Sequence, residues 1–314
     1  MNLLASLTRP EYIFRPAQIV RRVKCQFKPS TAHYETVCLP WGLPIRVEPK
    51  EELGALIRRL GVYDLHACEY ISRLVDPGDF AVDVGANIGQ MTSLMAVRAG
   101  PSGEVWAIEP HPVPFAELEY NTTVWNQDSG SAPIRAHRSA LSDHSGVAKL
   151  VVPLSSGGNH MLAFLADGSR ASSPDEHYEV QLRSLDELVG ERRGIDFLKV
   201  DVEGHERQVL EGSRRLLASG RVRDILFEEL QTPPTSVTKF LESVGFAVFR
   251  AAGTVSGPTP RAIDSAADSL VHGPPNFIAT RDSQRFLRRM AGRGWTALRN
   301  CGHAHHPAGG KAVL

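Results

Sequence analysis

The sequence predicts an α/β fold: a doubly wound, mostly parallel seven-stranded sheet closed by an antiparallel terminal strand. Three observations carry this expectation. From Glu51 to about Arg281, short apolar runs alternate with helical periods, the pattern of parallel strands joined by helical crossovers. The run Phe80-Ala81-Val82 enters the turn Asp83-Val84-Gly85-Ala86-Asn87-Ile88-Gly89, and a second run, Val105 to Ile108, ends at Glu109-Pro110. Strand, glycine turn, helix and a second strand tipped by an acid form one βαβ unit of the kind reused for adenosine ligands. Finally, the strand Asp196 to Asp201 opens onto Val202-Glu203-Gly204-His205-Glu206, gathering ionisable side chains at a carboxyl strand end, where such sheets hold ligands.

Residues 1 to 50 read as an N-terminal extension. Pro10 to Lys24 mixes aromatic and aliphatic residues with four cations and reads as a short amphipathic helix, either packed on the main body with solvated arginines or facing a membrane surface. Thr36 to Leu39 and Pro44 to Val47 read as short strands about Trp41-Gly42-Leu43. The main domain spans 51 to 282. Glu51 to Leu60 and Tyr63 to Leu74 read as helices ending before Asp76-Pro77-Gly78, which hands the chain to the strand ending at Asp83. Helices are expected over Asn87 to Arg98 and Pro112 to Trp125, a third strand over Ile134 to Ala140, and a fourth over Ile195 to Asp201. A helix over Glu206 to Ala218 and a fifth strand over Asp224 to Glu228 follow, and Phe246 to Arg250 pairs with Asn276 to Thr280. Two insertions interrupt the alternation: paired strands Val147 to Pro153 and Glu179 to Leu182 around the loop Ser155 to Glu176, and the Pro/Ser/Ala-rich stretch Val255 to Pro275. Residues 283 to 314, with His303, His305 and His306, read as a flexible basic tail whose histidines are solvated rather than metal-bound.

Composition narrows the partners. With 35 Lys and Arg against 35 Asp and Glu, the formal net charge is zero, so no nucleic acid is expected. Cys25, Cys38, Cys68 and Cys301 lie far apart without a Cys-x-x-Cys pair, which points to neither a disulfide framework nor a thiolate zinc site, and fits a reduced cytoplasm. The Leu3 to Leu7 run is short for a secretory leader, and no stretch reaches membrane-spanning length.

The cofactor follows from what the turn lacks. Dinucleotide binders need Gly-x-Gly-x-x-Gly, and here Asn87 stands at the middle glycine's place, so a nicotinamide-dependent dehydrogenase is the weaker rival. No Gly-x-x-x-x-Gly-Lys-Ser/Thr loop occurs. S-adenosylmethionine remains, because its sulfonium cation and ribose suit a turn bearing the carboxylates of Asp83 and Glu109 rather than lysines. Gly85 and Gly89 permit positive φ and close approach, and Glu109 can accept from both ribose hydroxyls. A purely structural βαβ turn is the alternative.

Together with Ala140-Leu141-Ser142-Asp143 and Arg183-Ser184-Leu185-Asp186-Glu187-Leu188, the run Lys199-Val200-Asp201-Val202-Glu203-Gly204-His205-Glu206 resembles the FkbM-type methyltransferase family, over roughly Asp76 to Gly212. The resemblance implies a class I, Rossmann-like methyltransferase that methylates a hydroxyl, of a sugar, glycan or glycolipid or of a small natural product. Carried over by position, it implies that Asp83, Gly85, Asn87 and Gly89 surround the methionine part, Glu109 the ribose, and Ser142 and Asp143 the adenine. Asp201, Glu203 and His205 are implied to face the acceptor.

Methyl transfer is an in-line displacement, so alignment and a base for the hydroxyl proton are what the protein adds. His205 is the first candidate base, since it titrates near neutrality, and Asp201 is the second. Alternatively Asp201 with Glu228 and Glu229 would hold Mg²⁺ and acidify the hydroxyl. His160 is a further acceptor-side candidate. Apolar residues of the extension fit either a homodimer or a lid, and a non-catalytic binding module is the remaining alternative.

Overall fold

The computed structural model describes residues 9–27, 30–153, 160–165, 175–263 and 275–299. The Leu3 to Leu7 run and the tail histidines fall outside these residues. The described residues open with α1 (Pro10–Ile13) and α2 (Ala17–Phe27), then the hairpin β1 (Glu35–Cys38) and β2 (Pro44–Val47). This hairpin is seated on the main body. Trp41 Nε1 donates to Ser93 Oγ at 3.0 Å and Arg46 pairs with Glu117 at 2.8 Å.

Next come α3 (Glu52–Leu60), α4 (Leu65–Leu74), β3 (Phe80–Val84), α5 (Gln90–Ala99), β4 (Glu104–Ile108), α6 (Pro112–Trp125) and β5 (Ile134–His137). An excursion of short strands follows: β6 (Ala140–Leu141), β7 (Gly146–Val152), β8 (Phe164–Leu165) and β9 (Glu176–Arg183). The chain then forms α7 (Leu185–Val189), β10 (Ile195–Val200), α8 (Glu206–Glu211), α9 (Arg214–Ala218), β11 (Val222–Glu228), α10 (Ser236–Ser243) and β12 (Ala247–Arg250). It continues with β13 (Gly253–Thr254), β14 (Gly257–Pro258), β15 (Arg261–Ala262), β16 (Asn276–Thr280) and α11 (Ser283–Met290).

The main sheet runs β15-β12-β16-β11-β10-β3-β4-β5. Strands β5, β4, β3, β10 and β11 are parallel, and β16 lies antiparallel to both neighbours. All seven expected strands are present, and β15 adds an eighth at the edge. Successive strands leave β3 in one direction and β10 in the other, so the order reverses between them. In such sheets the crevice at that reversal holds the ligand.

Side-chain alternation splits the core. Ala81 and Phe197 join the apolar cluster containing α4 and α5, while Phe80, Val82, Val84, Leu198 and Val200 join the cluster on the opposite face. Every residue of β3 is buried, as a central parallel strand covered on both faces must be.

Several expected boundaries move for local reasons. The expected third strand divides: Ile134 to His137 stays in the main sheet, while Ala140 and Leu141 pair with Leu182 and Arg183 in a separate sheet ordered β6-β9-β7-β8. The helix after the glycine turn starts at Gln90, because Asn87 (φ 50°) and Gly89 (φ 92°) are left-handed. The helix expected over 206 to 218 breaks at Gly212, where a Cβ would stand 2.0 Å from Ser142 O. Residues 283 to 299, expected to belong to a flexible tail, instead form α11 and a short 3₁₀ turn. Phe286, Met290 and Trp295 are buried, and Arg285 pairs with Asp224 at 2.8 Å and Asp76 at 2.6 Å. No helix among the described residues is long and apolar enough to cross a membrane.

Candidate active site

A cleft opens at the carboxyl ends of β3, β4, β10 and β11. Its cofactor side is lined by Gly85, Ala86, Asn87, Glu109, Ser139 and Leu141, and its far side by Tyr63, Asp201, Glu203, His205 and Glu228. The strand order alone brings these two groups together. The contact is intimate, since a Cβ on Gly85 (φ 78°) would stand 1.7 Å from Asp201 O, and Asp201 N donates to Val84 O at 3.1 Å.

Glu109 is held at the turn by backbone donors. Asn87 N donates to Oε2 at 2.9 Å and His111 N to Oε1 at 2.8 Å. Burial raises its pKa to about 7, and those two N–H groups hold it below where burial alone would place it. Each oxygen keeps a lone pair, the geometry needed for two ribose hydroxyls. Next to it Ser139, 4% exposed, has a buried Oγ without a hydrogen-bond partner. A buried hydroxyl left unpaired at a cleft wall is an unfilled polar position. With no cationic phosphate-binding loop and carboxylates on both walls, the donor set fits S-adenosylmethionine, cationic at sulfur and free of phosphate.

Of the other expected cofactor residues, Gly85 and Asn87 line the cleft, while Asp83, Gly89, Ser142 and Asp143 do not. Strand alternation puts Asp83 on the face covered by α5, where Thr92 Oγ1 donates to Oδ2 at 2.6 Å. Lys199 Nζ stands 3.1 Å from Asp83 Oδ1, an ionic approach rather than an aligned hydrogen bond. Gly89 meets α6 instead: a Cβ there would lie 2.7 Å from Leu118 and 2.9 Å from Trp125. The expected adenine pair misses because β6 has left the main sheet. Ser142 Oγ lies 3.0 Å from His205 Nε2, Asp143 pairs with the exposed His144, and Ser139, Ala140 and Leu141 take the wall.

On the far side Asp201, Glu203 and Glu228 bring carboxylate oxygens within 4.8 Å of one another. Burial, then Asp201 and Glu206, raises the Glu203 pKa to about 7; burial, then Asp201 and Glu203, raises Glu228 to about 8. Glu229, expected beside Glu228, caps Gln231 N at 3.0 Å instead, and Glu203 takes its place. Burial lowers the His205 pKa, so the ring is neutral near neutrality. His160 lines the cleft as well, with Nδ1 3.1 Å from His111 Nε2 and Nε2 3.5 Å from Glu51.

Sequence reasoning missed two residues. Lys199, which lines the cleft, stands in the quoted motif without an assigned role, yet its Nζ approaches Asp83, Asp201 at 3.4 Å and the Gly85 carbonyl at 3.2 Å. Burial alone would lower its pKa, but the two carboxylates more than offset this and keep the ammonium charged. A lysine between the apolar residues Phe197, Leu198 and Val200 of a central strand was the available signal. Ser139 gave none, because nothing in the sequence shows that the chain leaves the sheet there.

Strand order, reversal point and cleft chemistry define a class I, Rossmann-like methyltransferase that uses S-adenosylmethionine. Residues 83–248 match the model of the methyltransferase FkbM domain, and the chain belongs to that family. It is 35% identical over 206 residues to the 31-O-demethyl-FK506 methyltransferase FkbM of Streptomyces tacrolimicus, covering 57% of this chain and 75% of that relative. It is 31% identical over 188 residues to the hexuronic acid methyltransferase AglP of Haloferax volcanii, covering 57% of this chain and 70% of that one. A solved structure of a methyltransferase FkbM from Methylobacillus flagellatus shares 15% identity over 71% of this chain and 52% of its own, with a TM-score of 0.42.

Proposed function

We propose that the chain O-methylates a hydroxyl group of a sugar, glycan or glycolipid. The observation that carries this reading is the placement of a neutral His205 in the same cleft as Glu109 and Ser139, across the reversal of the strand order. S-adenosylmethionine, when bound, supplies an electrophilic methyl group on sulfur. Glu109 would hold the ribose, Ser139 to Leu141 the adenine side, and Gly85 with Asn87 the methionine side.

His205 would accept the hydroxyl proton as the new carbon–oxygen bond forms. Its Nε2 faces Ser142 Oγ, which fixes the ring, and Nδ1 has no partner among the described residues. Asp201, Glu203 and Glu228 would orient a polyhydroxylated acceptor by accepting from its other hydroxyls. The two curated relatives support an oxygen acceptor, one by a name that specifies a hexuronic acid and the other by a 31-O-demethyl substrate. A small natural product is the alternative acceptor, which the relative named for a 31-O-demethyl substrate favours.

Mg²⁺ bound by Asp201, Glu203 and Glu228 is a second route to an acidified hydroxyl. The free thiols of Cys25, Cys38 and Cys68 are compatible with the cytoplasm, and a glycolipid acceptor or a second copy of the chain are the partners that fit this reading. Methyl transfer from labelled cofactor to saccharide and glycolipid fractions tests it, with and without EDTA. Label in a saccharide hydroxyl supports the proposal. Binding of S-adenosylhomocysteine without transfer to any hydroxyl acceptor would replace it with a binding module.

A further inference from the structure

α2 presents its sides in the reverse of the usual order for a helix laid on a protein body. Gln18, Arg21, Arg22 and Cys25 recur at helical spacing on the side that is buried or half-buried. Gln18 packs at Gly61, where a Cβ would stand 2.5 Å from Gln18 Nε2. Arg22 donates to the Tyr12 hydroxyl at 3.0 Å, and Cys25 Sγ donates to Arg58 O at 3.8 Å.

The opposite side carries Ala17, Val20 and Val23, all exposed, and the preceding turn adds Ile13 and Phe14. Val20 is 58% exposed, Ile13 49%, Val23 47% and Phe14 40%. One exposed aliphatic side chain is ordinary. Several on one side of a short helical segment, over a polar inner side, mark a contact surface.

The charge of the segment says what kind of surface it meets. Residues 9 to 27 hold Arg9, Arg15, Arg21, Arg22 and Lys24 against one acid, Glu11, in a chain whose formal net charge is zero. Apolar side chains on one side of a helix within a cationic segment are the chemistry of helices that lie in the interface of an anionic bilayer. Arg21 and Arg22 lie on the inner side and Arg9 is exposed, so pairing with a second copy would bring together two segments of the same net positive charge. We propose that the outer side of α2 docks peripherally on an anionic lipid surface.

The docking would also serve catalysis. α2 packs on α3, and Leu53 of α3 lines the cleft, so a docked α2 would hold the cleft one helix layer from the bilayer. That consequence rests on the glycolipid reading of the acceptor, whereas the docking itself does not. Membrane contact would then concentrate the acceptor rather than anchor the chain permanently.

The test is co-sedimentation of the full chain with phosphatidylcholine vesicles, with and without phosphatidylserine. Sedimentation only with the anionic vesicles, weakened by added salt, is the expected result. Val20→Glu with Val23→Glu should weaken it by about tenfold or more, and Arg9→Glu by about fivefold or more. These exposed side chains do not line the cleft, so S-adenosylhomocysteine affinity should be unchanged in both variants, which verifies folding. Absence of sedimentation with anionic vesicles overturns the proposal, as does equal sedimentation of the Val20→Glu/Val23→Glu variant. A wild-type dimer that the same variant dissolves, without vesicle binding, would assign the stripe to a homodimer instead. Failure to bind S-adenosylhomocysteine would count against the methyltransferase reading alone and leave the lipid result standing.

Discussion

Each oxygen of Glu109 accepts one backbone N–H, from Asn87 and from His111, and so presents its remaining lone pairs to the cleft. Replacing it by Ala should weaken S-adenosylhomocysteine binding at least about 10- to 100-fold, the cost of losing even one hydrogen bond to a charged acceptor, roughly 1.5–3 kcal/mol. Because its pKa is raised to about 7, the ionised acceptor is lost as pH falls through neutrality. Affinity measured calorimetrically should therefore fall on the acid side of that midpoint in the wild type and stay flat in Glu109→Ala. His205 is tested by turnover. His205→Ala should lower kcat about 100-fold at saturating acceptor while leaving cofactor affinity nearly unchanged, and wild-type kcat would transfer the base role to Asp201. The acid at the tip of the second strand and the histidine after the Lys-Val-Asp-Val-Glu-Gly motif were both legible from position. Asp83 was not, because one step of strand alternation decides whether it faces a ligand or Thr92.

The glycine turn and the β10 end form one packed unit, and their substitutions separate ligand effects from packing effects. Gly85→Ala combines a φ of 78° with a Cβ 1.7 Å from Asp201 O, a backbone atom that has nowhere to go. About 2–4 kcal/mol of stability should be lost, and S-adenosylhomocysteine binding with it, because the displaced strand end carries Asp201. Gly89→Ala meets only the side chains of Leu118 and Trp125. It should lower Tm by a comparable amount while leaving cofactor affinity in the surviving folded protein within a few-fold of wild type, a contrast that thermal melts with and without ligand would show. Pro112 to Trp125 was readable to its boundaries, since Pro sits at the helix start and apolar residues recur along it. The departure of Ala140 and Leu141 into a second sheet was not, since pairing with Leu182 and Arg183 is a long-range choice that two apolar residues do not encode. α11 was hidden for a related reason: Phe286 and Met290 make a stripe of only two anchors, below what periodicity distinguishes from chance.

Across the whole molecule the cleft stores a proton-linked cost. Burial raises the pKa of Glu109 and Glu203 to about 7 and of Glu228 to about 8. The folded chain thus keeps protons that these side chains release near 4.5 when unfolded. Wherever the folded state binds more protons, stability falls as pH rises. Desolvated histidines pull the other way: the pKa of buried His111 is lowered to about 4, and those of half-buried His137 and His205 are also lowered. The unfolded state binds more protons through these groups, so they make stability rise with pH up to about 6.5, the ordinary histidine value. Above that only the carboxyl effect persists. Three carboxyls set against three histidines leave no net rise between about pH 4.5 and 6.5, so Tm of the ligand-free protein should not climb through that span and should decline from about pH 6.5 toward about pH 8, the upper carboxyl midpoint. Glu228→Gln removes the group with the highest midpoint and relieves Glu203 of a neighbouring charge, so its melts should decline less across that window and lie above wild type at the alkaline end. Melts of the two proteins at matched ionic strength check this. A wild-type Tm that rises through that window would mean that the cluster ionises with no cost in the folded chain, as it would if a bound cation already balanced Asp201, Glu203 and Glu228.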